Sequence, residues 1–219
     1  MKLRPLKTGK TAWIFAICLV PVALGGCNML GAFYGIFIDP LVPAPKVEAE
    51  HEFGSQKVLI WIDDISNHER GPILHREIIE NTQRELRENL KDFQTVAYDD
   101  IVRFRRQFPD YPSLNIQEIG QKLQAEQVLY IYIDSFQLQH AAGEGYYLAS
   151  LNGHLNVIEV ETGKRLWPKD HLFRPLSQTG QLEQGQGDLL EDKLVRQLSR
   201  QIAQQIAPYF YNHRLEKQS

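Results

Sequence analysis

Few residues of this chain are placed to do covalent chemistry. Its 219 residues include two cysteines, Cys18 and Cys27, and a thiol reacts as its thiolate, a nucleophile that other side chains rarely match. Carboxylates are paired at Asp63-Asp64 and Asp99-Asp100, each pair after an apolar stretch. Such pairs at strand ends can act as acid and base or hold a metal ion, although more often they cap the next element. The histidines, scattered from His51 to His213, show neither HxxxH nor HExxH spacing, so no zinc ligand set is read from them. No serine sits in a GxSxG elbow. Thr162-Gly163-Lys164 has the form of the end of a phosphate-binding loop, but Ile158 stands where that loop needs its first glycine. Gly143 with Gly145, and Gly185 with Gly187, lack the rest of a dinucleotide fingerprint. The expectation is a chain with no catalytic residue, metal or cofactor, in which Cys27 is the one position with an assignable role.

The surroundings of Cys27 support this. Lys2, Arg4, Lys7 and Lys10 open the chain without an acid among the first 26 residues, and an apolar run follows that Pro21 interrupts. That is the layout of a secretory signal; the run is short for a membrane span, the competing reading being an uncleaved anchor. Without those four bases the chain has 20 basic and 27 acidic residues, a net of −7. An acidic body repels phosphate backbones, so nucleic acid is not an expected partner.

Leu24-Gly25-Gly26-Cys27 resembles a bacterial lipobox. The resemblance implies cleavage between Gly26 and Cys27 and a diacylglycerol on the Cys27 sulfur, with further acylation giving the two or three chains that anchor stably. Cys18 would leave with residues 1–26, so the mature chain would contain no disulfide. Asn28, in place of the aspartate that resembles an inner-membrane retention signal, points to the outer membrane, facing the periplasm. Residues 27–55 then read as the lipidated N-terminus and a tether, 56–208 as the domain and 209–219 as a tail. The apolar stretch 29–42 has the composition to lie at the bilayer surface or pack on the domain. An extended chain reaches about 3.3–3.6 Å per residue, so shortening 43–55 is expected to cost reach and leave the domain folded.

Within the domain, the apolar run in Lys57–Asp63 reads as a strand buried on both faces. Leu74, Ile78, Thr82, Leu86 and Leu90 define an amphipathic helix behind Pro72. Phe93–Asp100 reads as a short strand, and Asn115 caps a helix with Ile116, Ile119 and Leu123 on one side. Ala125–Gln139 is a strand, and a second begins at Tyr146. Glu161-Thr162-Gly163-Lys164 turns the chain into a partner strand over 164–175, 176–188 reads as a Gly- and Gln-rich mobile loop, and Leu190, Leu194, Leu198, Ile202 and Ile206 stripe a final helix. The fold class is α+β: a single mixed sheet in the order β-α-β-α-β-β-β-α, with an antiparallel C-terminal meander and helices packed on it.

Three of these passages, "KVLIWID", "NIQEIGQKLQAEQVLYIYID" and "VIEVETGKRLW", resemble the α+β domain of the CsgG, LpoB and TolB N-terminal-domain type of envelope lipoprotein. The resemblance implies that fold and an adaptor-like, non-enzymatic role in interaction or assembly, with another envelope protein as partner, self-association left open and the membrane reached through the N-terminal lipid. Aromatic side chains are enriched in interaction surfaces, which makes Tyr146, Tyr147, Tyr209 and Tyr211 the candidate surface. The alternative is a periplasmic protein that binds a small ligand or cell-wall fragment through the 140–147 and 176–187 loops.

Overall fold

The computed structural model describes residues 45–141, 146–183 and 189–214. The signal segment, Gly26, Cys27, residues 29–42, 184–187 and the end of the tail lie outside the described residues, as does the side chain of Tyr146. The body, Lys46–His213, is mixed α+β. In chain order it consists of β1 (Lys46–Val47), β2 (Lys57–Asp64), α1 (Gly71–Asn89), β3 (Gln94–Thr95), α2 (Tyr98–Gln107), α3 (Ile116–Lys122), β4 (Gln127–Ala141), β5 (Tyr146–Glu159), β6 (Arg165–Trp167), β7 (Arg174–Glu183), α4 (Leu189–Ile206) and β8 (His213–Arg214). The main sheet runs β3-β2-β4-β5-β6, with β7 also paired to β5. β3, β2 and β4 are parallel; β5 runs antiparallel to β4, β6 and β7.

Val58 through Ile62 are all buried because helices cover both faces of β2. On one face Trp61 meets Phe104 of α2, with ring centroids 6.2 Å apart. Gly120 of α3 passes so close to Val160 and Val128 that a methyl group there would lie 2.6 and 3.3 Å from them. On the other face lie α1 and α4, packed on each other. Arg70 at the start of α1 pairs with Glu191 and Asp192 in the first turn of α4. The expected stripes are buried in both helices, save Leu90, which is half-buried at the C-cap of α1, and Asn115 caps α3 through a reciprocal box with Glu118.

The expected single sheet is corrected to two, since β1 and β8 pair separately. Through the main body the order is β-α-β-α-α-β-β-β-β-α. The strand expected over Phe93–Asp100 shrinks to Gln94–Thr95, because Gln83 of α1 donates to the Val96 carbonyl (2.8 Å) and α2 starts at Tyr98. Residues 176–183, read as part of a loop over 176–188, belong instead to the ten-residue strand Arg174–Glu183, paired with Tyr146–Leu155. Gly180 is there because Leu194 of α4 would lie 3.2 Å from any Cβ; it marks close packing, not a turn. The hairpin turn at Thr162–Gly163 is as expected, with Gly163 at φ +69°.

The residues read as tether and tail include parts of the core. Phe53 is 2% exposed and stacks on Phe210, itself fully buried (centroids 4.6 Å). The amides of Glu50 and His51 donate to the Tyr209 carbonyl at 2.8 and 3.3 Å, and Glu50 accepts from Trp167 Nε1 at 3.0 Å and pairs with Arg174. Shortening the chain across 46–55 therefore removes core contacts as well as reach.

Opposite a bulge between Ile133 and Ser135 stands Gly153, where a Cβ would lie 2.2 Å from the Tyr132 carbonyl oxygen. Gly153→Ala forces β4 and β5 apart and is expected to cost about 1–3 kcal/mol, read as a lowered midpoint in urea. An unchanged midpoint would show that the bulge yields freely.

Candidate functional site

β2 leads to β3 through α1 on one face of the sheet, and β3 leads to β4 through α2 and α3 on the other. The crossovers therefore part between β2 and β4, and in open sheets ligands bind outside the carboxyl ends of the strands at such a point. A cleft of about 350 Å³ lies there, lined among others by Asp63, Asp64, His75, Arg105, Tyr111 and Tyr132.

Of the two carboxylate pairs read from the sequence, Asp63 and Asp64 reach this cleft, each tied by two hydrogen bonds, while Asp99 and Asp100 stand in the first turn of α2. Asp63 accepts from Trp61 Nε1 (2.9 Å) and from the Tyr130 hydroxyl (2.6 Å). Burial, then the Asp63 carboxylate, pushes the Tyr130 phenol far above its ordinary range. Asp64 accepts from the Ser66 amide at 2.8 Å and lies 2.9 Å from His75 Nε2. Burial alone would push its carboxyl up, but the hydrogen bonds from His75 and Ser66 outweigh it and hold the group below its ordinary 3.8. The guanidinium of Arg105 lies 4.5 Å over the Trp61 ring and 5.4 Å over Tyr111, and donates to the Ile62 carbonyl at 3.2 Å. Arg103 and Arg105, two residues apart on α2, are separated by the structure. Arg103 pairs with Asp100 in solvent, while Arg105 turns under the aromatics. Only the proximity of Trp61 and Tyr111, invisible in one dimension, distinguishes it. Among the described residues no three metal-ligating side chains converge.

The cleft opens through Tyr132 onto the uncovered face of β4, β5 and β7. His154 packs between Tyr132 (centroids 4.9 Å) and Phe173 (4.5 Å). Beyond this aromatic row, Asn152 donates to Ser135 Oγ (3.3 Å) and accepts from Ser177 Oγ (2.8 Å), a ladder across three strands. Gln137, Thr179 and Gln181 continue it, exposed and uncharged. Sequence reasoning missed this face because β7 reads as a loop.

The four tyrosines are not brought into one patch. Tyr146, opposite Ala141 and Glu183, and the half-buried Tyr147 begin β5. Tyr209 packs on Trp167 (5.2 Å) beside Arg174, and Trp167 pairs with Val157. At about 3.2–3.4 Å per residue that is most of the length of β5 away. Tyr211 is half-buried near His213, and burial raises its phenol above the usual value.

No protein-family model and no curated protein matches the chain. Among solved structures it is similar to lipoprotein GNA1162 from Neisseria meningitidis, at 15% identity and TM-score 0.43, over 68% of this chain and 99% of that one. It is also similar to the hypothetical protein CT253 from Chlamydia trachomatis (15%, TM-score 0.40, 70% and 96%) and to the PelC dodecamer from Paraburkholderia phytofirmans (11%, TM-score 0.40, 78% and 98%). Likenesses this loose assign no activity.

Because the folded Asp64 carboxyl is depressed, its contribution to stability is present above its ordinary 3.8 and is lost as pH falls through the lower folded value. Asp64→Asn is expected to unfold at lower urea than wild type at neutral pH, with the gap closing on acidification below 3.8. A gap that persists unchanged at the lowest pH would rule out the ionised carboxylate as its source.

Proposed function

We propose that the chain is a lipid-anchored cell-envelope protein whose α+β body serves, without catalysis, as an interaction or assembly module on the periplasmic side of the outer membrane. The lipobox-like Leu24-Gly25-Gly26-Cys27 and its basic, apolar leader support the anchor. One observation carries the module. The sheet is closed by α1 and α4 on one face, while over β4, β5 and β7 its other face presents mostly uncharged hydrogen-bonding side chains, with the ladder Ser135–Asn152–Ser177 at its centre and the Asp134 carboxylate beside His154 at its margin. A second reading, a site for a small ligand or cell-wall fragment, is favoured by the cleft at Arg105 and Tyr132. It no longer rests on 176–187 as a loop, since 176–183 is strand.

Lipidation is tested by the mass of the N-terminal peptide and by envelope fractionation of wild type beside Cys27→Ala. Wild type is expected in the membrane fraction with acyl groups on residue 27, and the variant is expected to lack both. An unacylated, membrane-free wild type would overturn the anchor. The module is tested by affinity capture from gently solubilised envelopes with Gln137→Lys, an exposed change on the open face. Loss of a partner that wild type retains, at equal membrane attachment, supports the reading. Capture indifferent to the new charge counts against this face. For the second reading, ligand-dependent melting lost in Arg105→Gln is the expected signature, and melting that no cell-wall fragment shifts would discard it.

A further inference from the structure

Among the described residues the main chain of β7 pairs with β5 alone, so its other side is a sheet edge. Proteins usually blunt such edges with Pro, Lys or a bulge. In β7 the guards stand only at the ends, as Arg174, Pro175 and Glu183; the seven residues Leu176–Leu182 contain no charge and no proline. The segment LSQTGQL is also nearly symmetric about Thr179. Two copies laid antiparallel about a twofold axis at that residue set Leu176 opposite Leu182, Ser177 opposite Gln181 and Gln178 opposite Gly180. The leucines fall on the face that α4 covers, the hydroxyl and amide pairs on the open face, and no like charges meet.

An independent observation lies on α4. The side-chain oxygen of Gln201 is buried with no hydrogen-bond partner among the described residues, and it sits 3.8 Å from where a Cβ on Gly180 would be. A buried acceptor left unpaired is costly. In the twofold register, Gln178 of the second copy arrives opposite Gly180, beside this oxygen. Within one copy the Gln178 amide reaches only the Thr179 carbonyl, at 3.3 Å, which marks that carbonyl as facing the open edge.

We propose that β7 pairs with β7 of a second copy of this chain, antiparallel about Thr179, joining the two sheets edge to edge, with Gln178 of each copy donating to Gln201 of the other. The pairing does not depend on the lipid anchor.

The test is disulfide trapping of the full chain in detergent, read on non-reducing gels against wild type, which carries only Cys18 and Cys27. Residues directly opposite in an antiparallel pair have Cα atoms about 4.5–5.5 Å apart, within disulfide reach. Thr179→Cys is therefore expected to crosslink as a dimer. Ser177→Cys alone is expected not to, and a mixture of Ser177→Cys and Gln181→Cys chains to regain the band. No band at Thr179→Cys above wild type overturns the proposal, as does equal crosslinking of every chain with one added cysteine. A second measurement, sedimentation equilibrium, guards against a folding artefact. Thr179→Lys and Thr179→Glu, both at an exposed position, are each expected to lose the dimer and to regain it when mixed; dimers in both variants alone would place the contact elsewhere.

Discussion

The close approach of β4 and β5 at Gly153 governs which side of the sheet is core and which is surface. No side chain fits between that residue and the Tyr132 carbonyl. With glycine there, β4 takes one extra residue, Asp134, between the pairs Ile133–Gly153 and Ser135–Asn152. The extra residue reverses the parity of everything after it. Leu129, Ile131 and Ile133 before the bulge and Phe136 and Leu138 after it thus share one face, the face that α4 covers. Without it the strand would turn Phe136 to water and bury Ser135 and Gln137, the exchange that a one-residue slip imposes.

The polarity of the two halves of the sheet follows from that device. In the parallel half, β2 lies between helices on both faces and can be apolar throughout. In the antiparallel half the described helices cover only one face, and the other collects Asn, Gln, Ser and Thr in register across three strands. The chain then seals its own lower edge with segments from both ends of the body. His51 reaches Gln127 at 2.8 Å while its ring meets Phe53, and burial holds its imidazole below its ordinary 6.5. Neutral His51 suits this apolar seat, so its contribution is complete above 6.5 and declines as pH falls below it.

What was legible in the sequence is what burial writes on periodicity. The stripe of α1, the stripe of α4, the doubly buried β2 and the capping box at Asn115 each combine local propensity with a repeating apolar face. The parity change from Ile133 to Phe136 is visible too, once the bulge is known. β7 was not legible, because its inward positions are filled by Leu176, Gln178, Gly180 and Leu182: the glutamine breaks the apolar alternation, and the glycine serves a close contact with α4 that no local pattern announces. Phe53 and Phe210 were not legible as core for a related reason: Phe53 lies in a short charge-rich segment and Phe210 in a short aromatic one near the end of the chain, and the two bury each other. Asp63 and Asp64 were legible as residues and not as partners, since Tyr130 and His75 come to them from β4 and α1.

Those partners bear on what the cleft is suited to do. A carboxylate that is to move a proton must be free to change its hydrogen bonds as the reaction proceeds. Asp63 already accepts from an indole and a phenol at 2.9 and 2.6 Å, and burial, then that carboxylate, keeps the phenol protonated. Asp64 already accepts from a main-chain amide at the entry to α1 and from the imidazole that α1 carries. The two carboxylates thus gather an indole, a phenol and an imidazole around the end of β2, where the Arg105 guanidinium rests over Trp61 and Tyr111. Tyr132 lines the same cleft and stacks on His154, so the cleft and the ladder face meet at one aromatic row.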